Sequence, residues 1–120
     1  MGLVMKKRVV TISEGREKIT KTGVFRKLLL LPETVGIKTC EMGVLMLNPG
    51  QSWGYPDHHH EDEEAYFVLQ GKGIQTIDDE KYDIEKYMAI YLPPDSVHIT
   101  KNTGNEPLWV LYVRTPEKYR

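Results

Sequence analysis

Cysteine is almost missing from this chain: Cys40 is the only one in 120 residues. A disulfide within the chain is therefore excluded, and stability must come from packing or a bound metal, as expected in a reducing cytoplasm. The lone thiol reads as core filling rather than as a nucleophile. Long apolar runs are missing too, since nothing approaches the roughly 18 consecutive apolar residues of a membrane-spanning helix. The opening MGLVMKKRVV has neither the apolar core nor the cleavage site of a secretory signal, and Lys6 stands where a myristoylation signal wants Ser or Thr. There is no basic excess either. With 16 Lys and Arg against 17 Asp and Glu, the net charge of -1 offers nucleic acid no electrostatic footprint. A cytoplasmic protein is expected, with neither a membrane nor a nucleic acid as partner.

Helical periodicity is the last absence. No 3.6-residue pattern persists for three turns, and short apolar runs bounded by Gly, Pro, Asp and Asn recur instead, as in an all-β sandwich or barrel. Strands are expected near 8–12, 24–30, 37–47, 65–69, 73–77, 81–84, 88–92, 97–101 and 108–113. NPGQSWG, DDEK, LPPDS and NTGNEP supply the breaks, and SEGREK reads as a loop or short helical turn. At 40% hydrophobic and 28% charged, with no repeat and no linker, residues 1–120 form one soluble domain. The run FRKLLLLPE is apolar on both faces over Leu28–Leu31, and such a strand is normally covered on both sides. One cover is the core. A second subunit is the expected other, which makes residues 1–36 the contact region of a homodimer.

What is abundant locally is histidine and acid, in the stretch YPDHHHEDEEAYFVLQG. Three of the four histidines are consecutive. On an extended strand His58 and His60 project to one face and His59 to the other, and Glu64 returns to the first face after a bend. Two imidazoles and a carboxylate suit a divalent transition metal, but a solvated polar turn reads equally well from this segment alone. His98, delivered by the turn YLPPDSV, would complete a set of three histidines and one carboxylate. Glu61, Asp62 and Glu63 read as a solvated turn, and His59 as a surface or interface residue.

These residues resemble the cupins, small β-barrels built on two motifs. The first motif, G-x5-H-x-H-x3,4-E-x6-G, runs here as His58-x-His60-x3-Glu64-x6-Gly71, within about residues 50–71. The second, G-x5-P-x-G-x2-H-x3-N, runs as Pro93-x-Asp95-x2-His98-x3-Asn102, within about residues 87–102. Three turn glycines depart from the pattern, their positions being Ser52, Tyr87 and Asp95. The resemblance implies the all-β cupin double-stranded β-helix, a jelly-roll barrel. It also implies one divalent transition metal per chain (Mn, Fe, Ni or Zn), held by His58, His60, Glu64 and His98. Asn102 and the motif glycines would then be structural.

The same resemblance implies a metal-supported cavity without naming a reaction. The expected function is a metalloenzyme of the dioxygenase, decarboxylase, isomerase or lyase type, acting on an oxygen-rich small molecule such as a carboxylate or sugar derivative. The alternative is a non-catalytic ligand-binding or sensory cupin, although such modules usually accompany another domain on the same chain. Tyr66 shares the parity of Glu64 and should point inward with Val68. Tyr55 and Trp53 could rim the mouth, and Tyr91, Met42 and Met46 could line the cavity. Tyr66, Tyr55 and Tyr91 are the catalytic candidates, because a tyrosine hydroxyl beside a metal can serve as general acid or base.

Overall fold

A computed structural model describes residues 8–56 and 61–115. A 3-10 turn at Ile12–Glu14 leads into β1 (Arg16–Ile19) and β2 (Phe25–Leu30). A single helical turn, α1 (Pro32–Val35), precedes β3 (Glu41–Leu47) and β4 (Ser52–Tyr55). Then follow β5 (Glu64–Gln70), β6 (Lys72–Ile77), β7 (Glu80–Glu85), β8 (Ala89–Leu92), β9 (His98–Asn102) and β10 (Leu108–Arg114). They form a six-stranded sheet, β1-β2-β3-β10-β5-β8, and a four-stranded sheet, β4-β9-β6-β7, with antiparallel neighbours throughout. This is the all-β jelly-roll architecture expected from the sequence. Among the described residues no helix is long and apolar enough to cross a membrane.

Strand parity decides what the sheets enclose. On β5 the buried residues alternate, with Glu64, Tyr66 and Val68 inside and Ala65, Phe67 and Leu69 outside. The central β10 sets Leu108 beside Leu47, and Val110 between Leu45 and Val68. Further along, Tyr112 lies between Gly43 and Tyr66, and Arg114 between Glu41 and Glu64. The inner face is therefore apolar at one end and charged at the other. The apolar cluster joins both sheets, since Ile84 of β7 belongs to it and Trp53 and Ile77 pack on it. Gly43 makes room for the polar end, because a Cβ there would lie 2.6 Å from the Tyr112 ring.

Several boundaries differ from the sequence reading. Residues 8–12 form no strand; the first one falls later, inside the segment read as a loop, and all of β1 is exposed. A strand this polar leaves no apolar alternation to detect. Residues 37–40 precede β3 rather than belonging to it. β4 was not expected at all, because SWGY looks like loop chemistry. It pairs with β9, setting Tyr55 against His98 and Gly54 against Ile99. Cys40 is half-buried rather than core filling. The run Leu28–Leu31 is covered partly by the chain itself. Leu28 packs on the core, a bulge interrupts pairing with β3 between Leu28 and Leu30, and Leu29 lies against Gly15.

The motif departures keep the geometry of the missing glycines. Tyr87 and Asp95 both adopt positive φ, 74° and 58°, in the left-handed region that glycine would occupy. Asn102 is structural, as expected: its amide nitrogen donates to the carbonyls of Leu47 and Glu106, both at 2.8 Å, tying two loops together.

Gly54 is where a single methyl group should do most damage. A Cβ there would sit 2.0 Å from the carbonyl oxygen of His98, at a φ of 157°. Gly54→Ala should cost at least about 2–3 kcal/mol by forcing β4 off β9. Urea unfolding checks this, and an unchanged midpoint would contradict the strand pairing.

Candidate metal and ligand site

Glu64 and His98 reach the interior from opposite sheets, Glu64 opening β5 and His98 opening β9. They are 5% and 1% exposed. Tyr55, the ladder partner of His98, meets its imidazole edge to face, with ring centroids 5.1 Å apart at 84°. His58, His59 and His60 lie outside the described residues. Among those described, no three His, Cys, Asp or Glu side chains gather into a metal-binding group.

Glu64 has a strongly altered acidity. Burial pushes its pKa up from 4.5 to about 7, against the pull of Arg114, while the charge and hydrogen bond of Asp62 raise it further and Arg26 lowers it. Asp62 corrects the sequence reading. It is 1% exposed, not part of a solvated turn, whereas Glu61 and Glu63 on either side are exposed. The alternation of β5 continues backwards through residues 61–63, and Asp62 shares the even parity of His58, His60 and Glu64. That signal was available in the sequence.

Four further residues complete the polar end, and none was expected. Arg114 forms an ion pair from Nε to Glu41 Oε1 at 3.1 Å and donates from Nη1 to the Tyr55 hydroxyl at 3.1 Å. The Tyr112 hydroxyl donates to Glu41 Oε2 and accepts from Arg26 Nη2, both at 3.3 Å. Burial pushes the Tyr112 phenol up to about 12, and the neighbouring carboxylates hold the Arg114 guanidinium firmly charged. Arg26 lies over both the Trp53 and the Tyr112 ring, 5.2 and 5.3 Å from their centroids. It shares the parity of Val24, just before β2, and of Leu28, so a charge at an inward position was the only clue.

The three tyrosine candidates separate. Tyr66 faces inward as expected, 2% exposed, and its hydroxyl has no hydrogen-bond partner among the described residues. Burial and then the charge of Glu64 raise its pKa well above the ordinary phenol value, so at neutral pH it stays protonated, a hydrogen-bond donor and no base. Tyr55 is half-buried and borders the site through Arg114 and His98. Tyr91 is 56% exposed, pairs with outward-facing Ala65 and donates to the Glu63 carboxylate. It does not join the interior with Glu64, because its parity is that of Ala65. Met42 and Met46 likewise take the outer parity of β3, opposite to Glu41, Leu45 and Leu47. Trp53 is half-buried and faces inward onto the core.

The described half of the donor set fits a divalent transition metal. It offers a borderline imidazole and a hard carboxylate, both buried, and burial disfavours ionised Glu64 unless a cation compensates.

Comparison with known proteins agrees with this fold. The family model for the cupin domain matches residues 43–114, which run from within β3 to the end of β10. The chain belongs to the cupin family. An uncharacterised protein of Methanocaldococcus jannaschii is 35% identical over 99 residues, covering 82% of this chain and 78% of the relative. The polyketide synthase CurC of Streptomyces cyaneus is 29% identical over 113 residues, covering 93% and 71%. Among solved structures, a predicted oxalate decarboxylase from Thermotoga maritima superposes with a TM-score of 0.77 at 28% identity, covering 90% of this chain and 98% of that one.

The altered acidity of Glu64 makes stability depend on pH. In the unfolded chain the carboxyl ionises near 4.5, and in the fold only near 7. Between those values the folded protein holds the extra proton, so metal-free protein should lose stability as pH rises, by roughly 3 kcal/mol in all. Chelator-treated protein unfolded in urea at pH 5 and pH 7.5 should show this slope, and Glu64→Gln should flatten it. A slope of opposite sign, or one that Glu64→Gln leaves unchanged, would refute the burial account.

Proposed function

We propose that the chain binds one divalent transition metal (Mn, Fe, Ni or Zn) through His58, His60, Glu64 and His98. It acts there as an enzyme on an oxygen-rich small molecule. The observation that carries this reading is the burial of Glu64 and His98 on strands of the two opposite sheets, at the intervals the family motifs require. A metal with open positions would supply Lewis acidity or a site for dioxygen. The chain's own residues would do the rest. Arg114 fixes Tyr55 against His98, Tyr66 offers a buried hydrogen-bond donor, and the two sheets exclude water from the enclosed face. Reactions of the dioxygenase, decarboxylase, isomerase or lyase type all fit such a site. The name of the Thermotoga protein, which refers to oxalate, agrees with an oxygen-rich substrate. The single cysteine and near-neutral charge agree with a cytoplasmic location.

One observation favours the second reading, uptake of a ligand without turnover. A cavity of about 410 Å³ opens between β7 and β8, lined by Ile77, Ile84, Ile90 and Tyr91, with Gln75 also in its wall. Neither Glu64 nor His98 lines it. Elemental analysis of untagged protein separates the readings. Near-stoichiometric metal, lost by at least tenfold in His98→Ala and His60→Ala with the fold retained, is expected. Variants that keep both fold and metal would end the first reading.

A homodimer is the proposed assembly. The outer face of the six-stranded sheet carries Phe25, Met46, Trp109, Leu111 and Val113, and the exposed residues Val9, Ile12 and Ile19 lie in the N-terminal region. Sedimentation at micromolar concentration should give twice the monomer mass, and a monomer throughout would remove the dimer.

A further inference from the structure

We propose that Arg26 is the recognition residue for a carboxylate, so that the molecule held between the sheets is a small organic acid. This deepens the function proposed above and rests on its placing of a small molecule in the barrel.

Arg26 is 5% exposed and points inward from β2. The Trp53 and Tyr112 rings cover its guanidinium at 5.2 and 5.3 Å, which leaves the edge of the planar group for hydrogen bonding. That edge carries five N–H donors. Its hydrogen bond to a described residue is the 3.3 Å contact from Nη2 to the Tyr112 hydroxyl, and Nε is buried with no acceptor among the described residues. No described carboxylate lies within ion-pair distance of it. Glu41 is engaged by Arg114 Nε and the Tyr112 hydroxyl instead.

An arginine buried in this way is costly, and folded proteins rarely keep a guanidinium from water without an anion. The two arginines of the polar end differ in this respect. Arg114 has its carboxylate and Arg26 does not. A second buried donor waits beside it. Tyr66 is the ladder partner of Tyr112, on the side away from β3, and its hydroxyl also lacks a partner among the described residues. Arg26 Nε and the Tyr66 hydroxyl thus flank one ring as buried donors that have no acceptor among the described residues. Both act electrostatically on Glu64 or respond to it, so they share its end of the barrel. A carboxylate is the planar, two-oxygen anion that a guanidinium edge binds in bidentate fashion, and its other lone pairs can accept from a phenol.

The test uses acetate and benzoate as probes, with acetamide and benzamide as uncharged isosteres. Metal-loaded and metal-stripped protein are both titrated. The readouts are the melting temperature and the fluorescence of Trp53 in a Trp109→Phe background. At least one acid should raise the melting temperature and change the Trp53 signal in both forms, with its amide inert. Arg26→Met should weaken binding at least tenfold and Arg26→Lys about threefold, while unliganded Arg26→Met should melt no lower than the parent because an uncompensated charge has gone. Three outcomes would overturn the proposal: no response to either acid, an equal response to the amides, or undiminished acid binding by Arg26→Met. If acids bind through Arg26 while no metal is taken up, the carboxylate site stands and the metal reading falls. If metal binds and acids ignore Arg26, the reverse holds.

Discussion

The interior of this barrel depends on one ion pair. Arg114 stands at the end of the central strand, between Glu41 on β3 and Glu64 on β5, and its guanidinium is committed to Glu41. Glu64 is thereby left near a positive charge without being paired to it. Its carboxyl then titrates near neutrality, because burial outweighs the attraction. Had Arg114 turned to Glu64 instead, that carboxylate would be an ordinary buried ion, saturated and unavailable to a cation. Removing one partner from a buried pair costs about 3–5 kcal/mol, so this arrangement is a structural element as much as an electrostatic one. Tyr112 enforces it from the other side by donating to the second oxygen of Glu41. Gly43 is the concession that lets the Tyr112 ring lie where it does.

The fold can tolerate so much buried charge at one end because the other end is conventional. Val24, Leu45, Leu47, Val68, Leu108 and Val110 form a core that belongs to both sheets through Ile84. Each such side chain contributes roughly 1.5–3 kcal/mol by leaving water, which sets a scale for the polar cost the opposite end can carry. The gradient along β10, from Leu108 through Val110 and Tyr112 to Arg114, expresses the division in one strand. Apolar packing is concentrated at one end of the barrel and buried charge at the other.

Much of this was legible in the sequence, because a period of two is a strong signal wherever a strand is half-buried. β5 to β10 fell close to their expected bounds, and Glu64, Tyr66 and Val68 turned inward as their parity required. The motif intervals singled out His98 and Asn102, and both are buried, Asn102 with its amide bonded to the Leu47 carbonyl. The failures have physical causes. β1 is exposed throughout, so no alternation marked it. β4 is held by the close approach of Gly54 to the His98 backbone, a contact between distant segments that no local pattern reveals. Tyr91 was assigned by residue type, yet its own strand parity already turned it outward with Ala65. Arg26, Glu41 and Arg114 escaped notice because charge at a strand end usually means solvent. Here it meant an interior built to hold charge.

Two of the positive-φ residues keep a turn geometry that does not depend on glycine being present. Tyr87 and Asp95 occupy positions that the family pattern gives to glycine, and both keep a left-handed backbone. That conformation costs a residue with a side chain roughly 1–2 kcal/mol. At Tyr87 part of the cost is offset locally, since its ring stacks on Phe67 at 6.4 Å and receives Lys86 at 4.9 Å. Asp95 sits three residues before His98, within the turn that starts β9. Relaxing that turn would change where β9 begins. Because strand parity is all that points His98 inward, a slip of one residue would send the imidazole to the opposite face. The strained turn and the buried imidazole are thus parts of one constraint, and the conformation persists where the glycine does not.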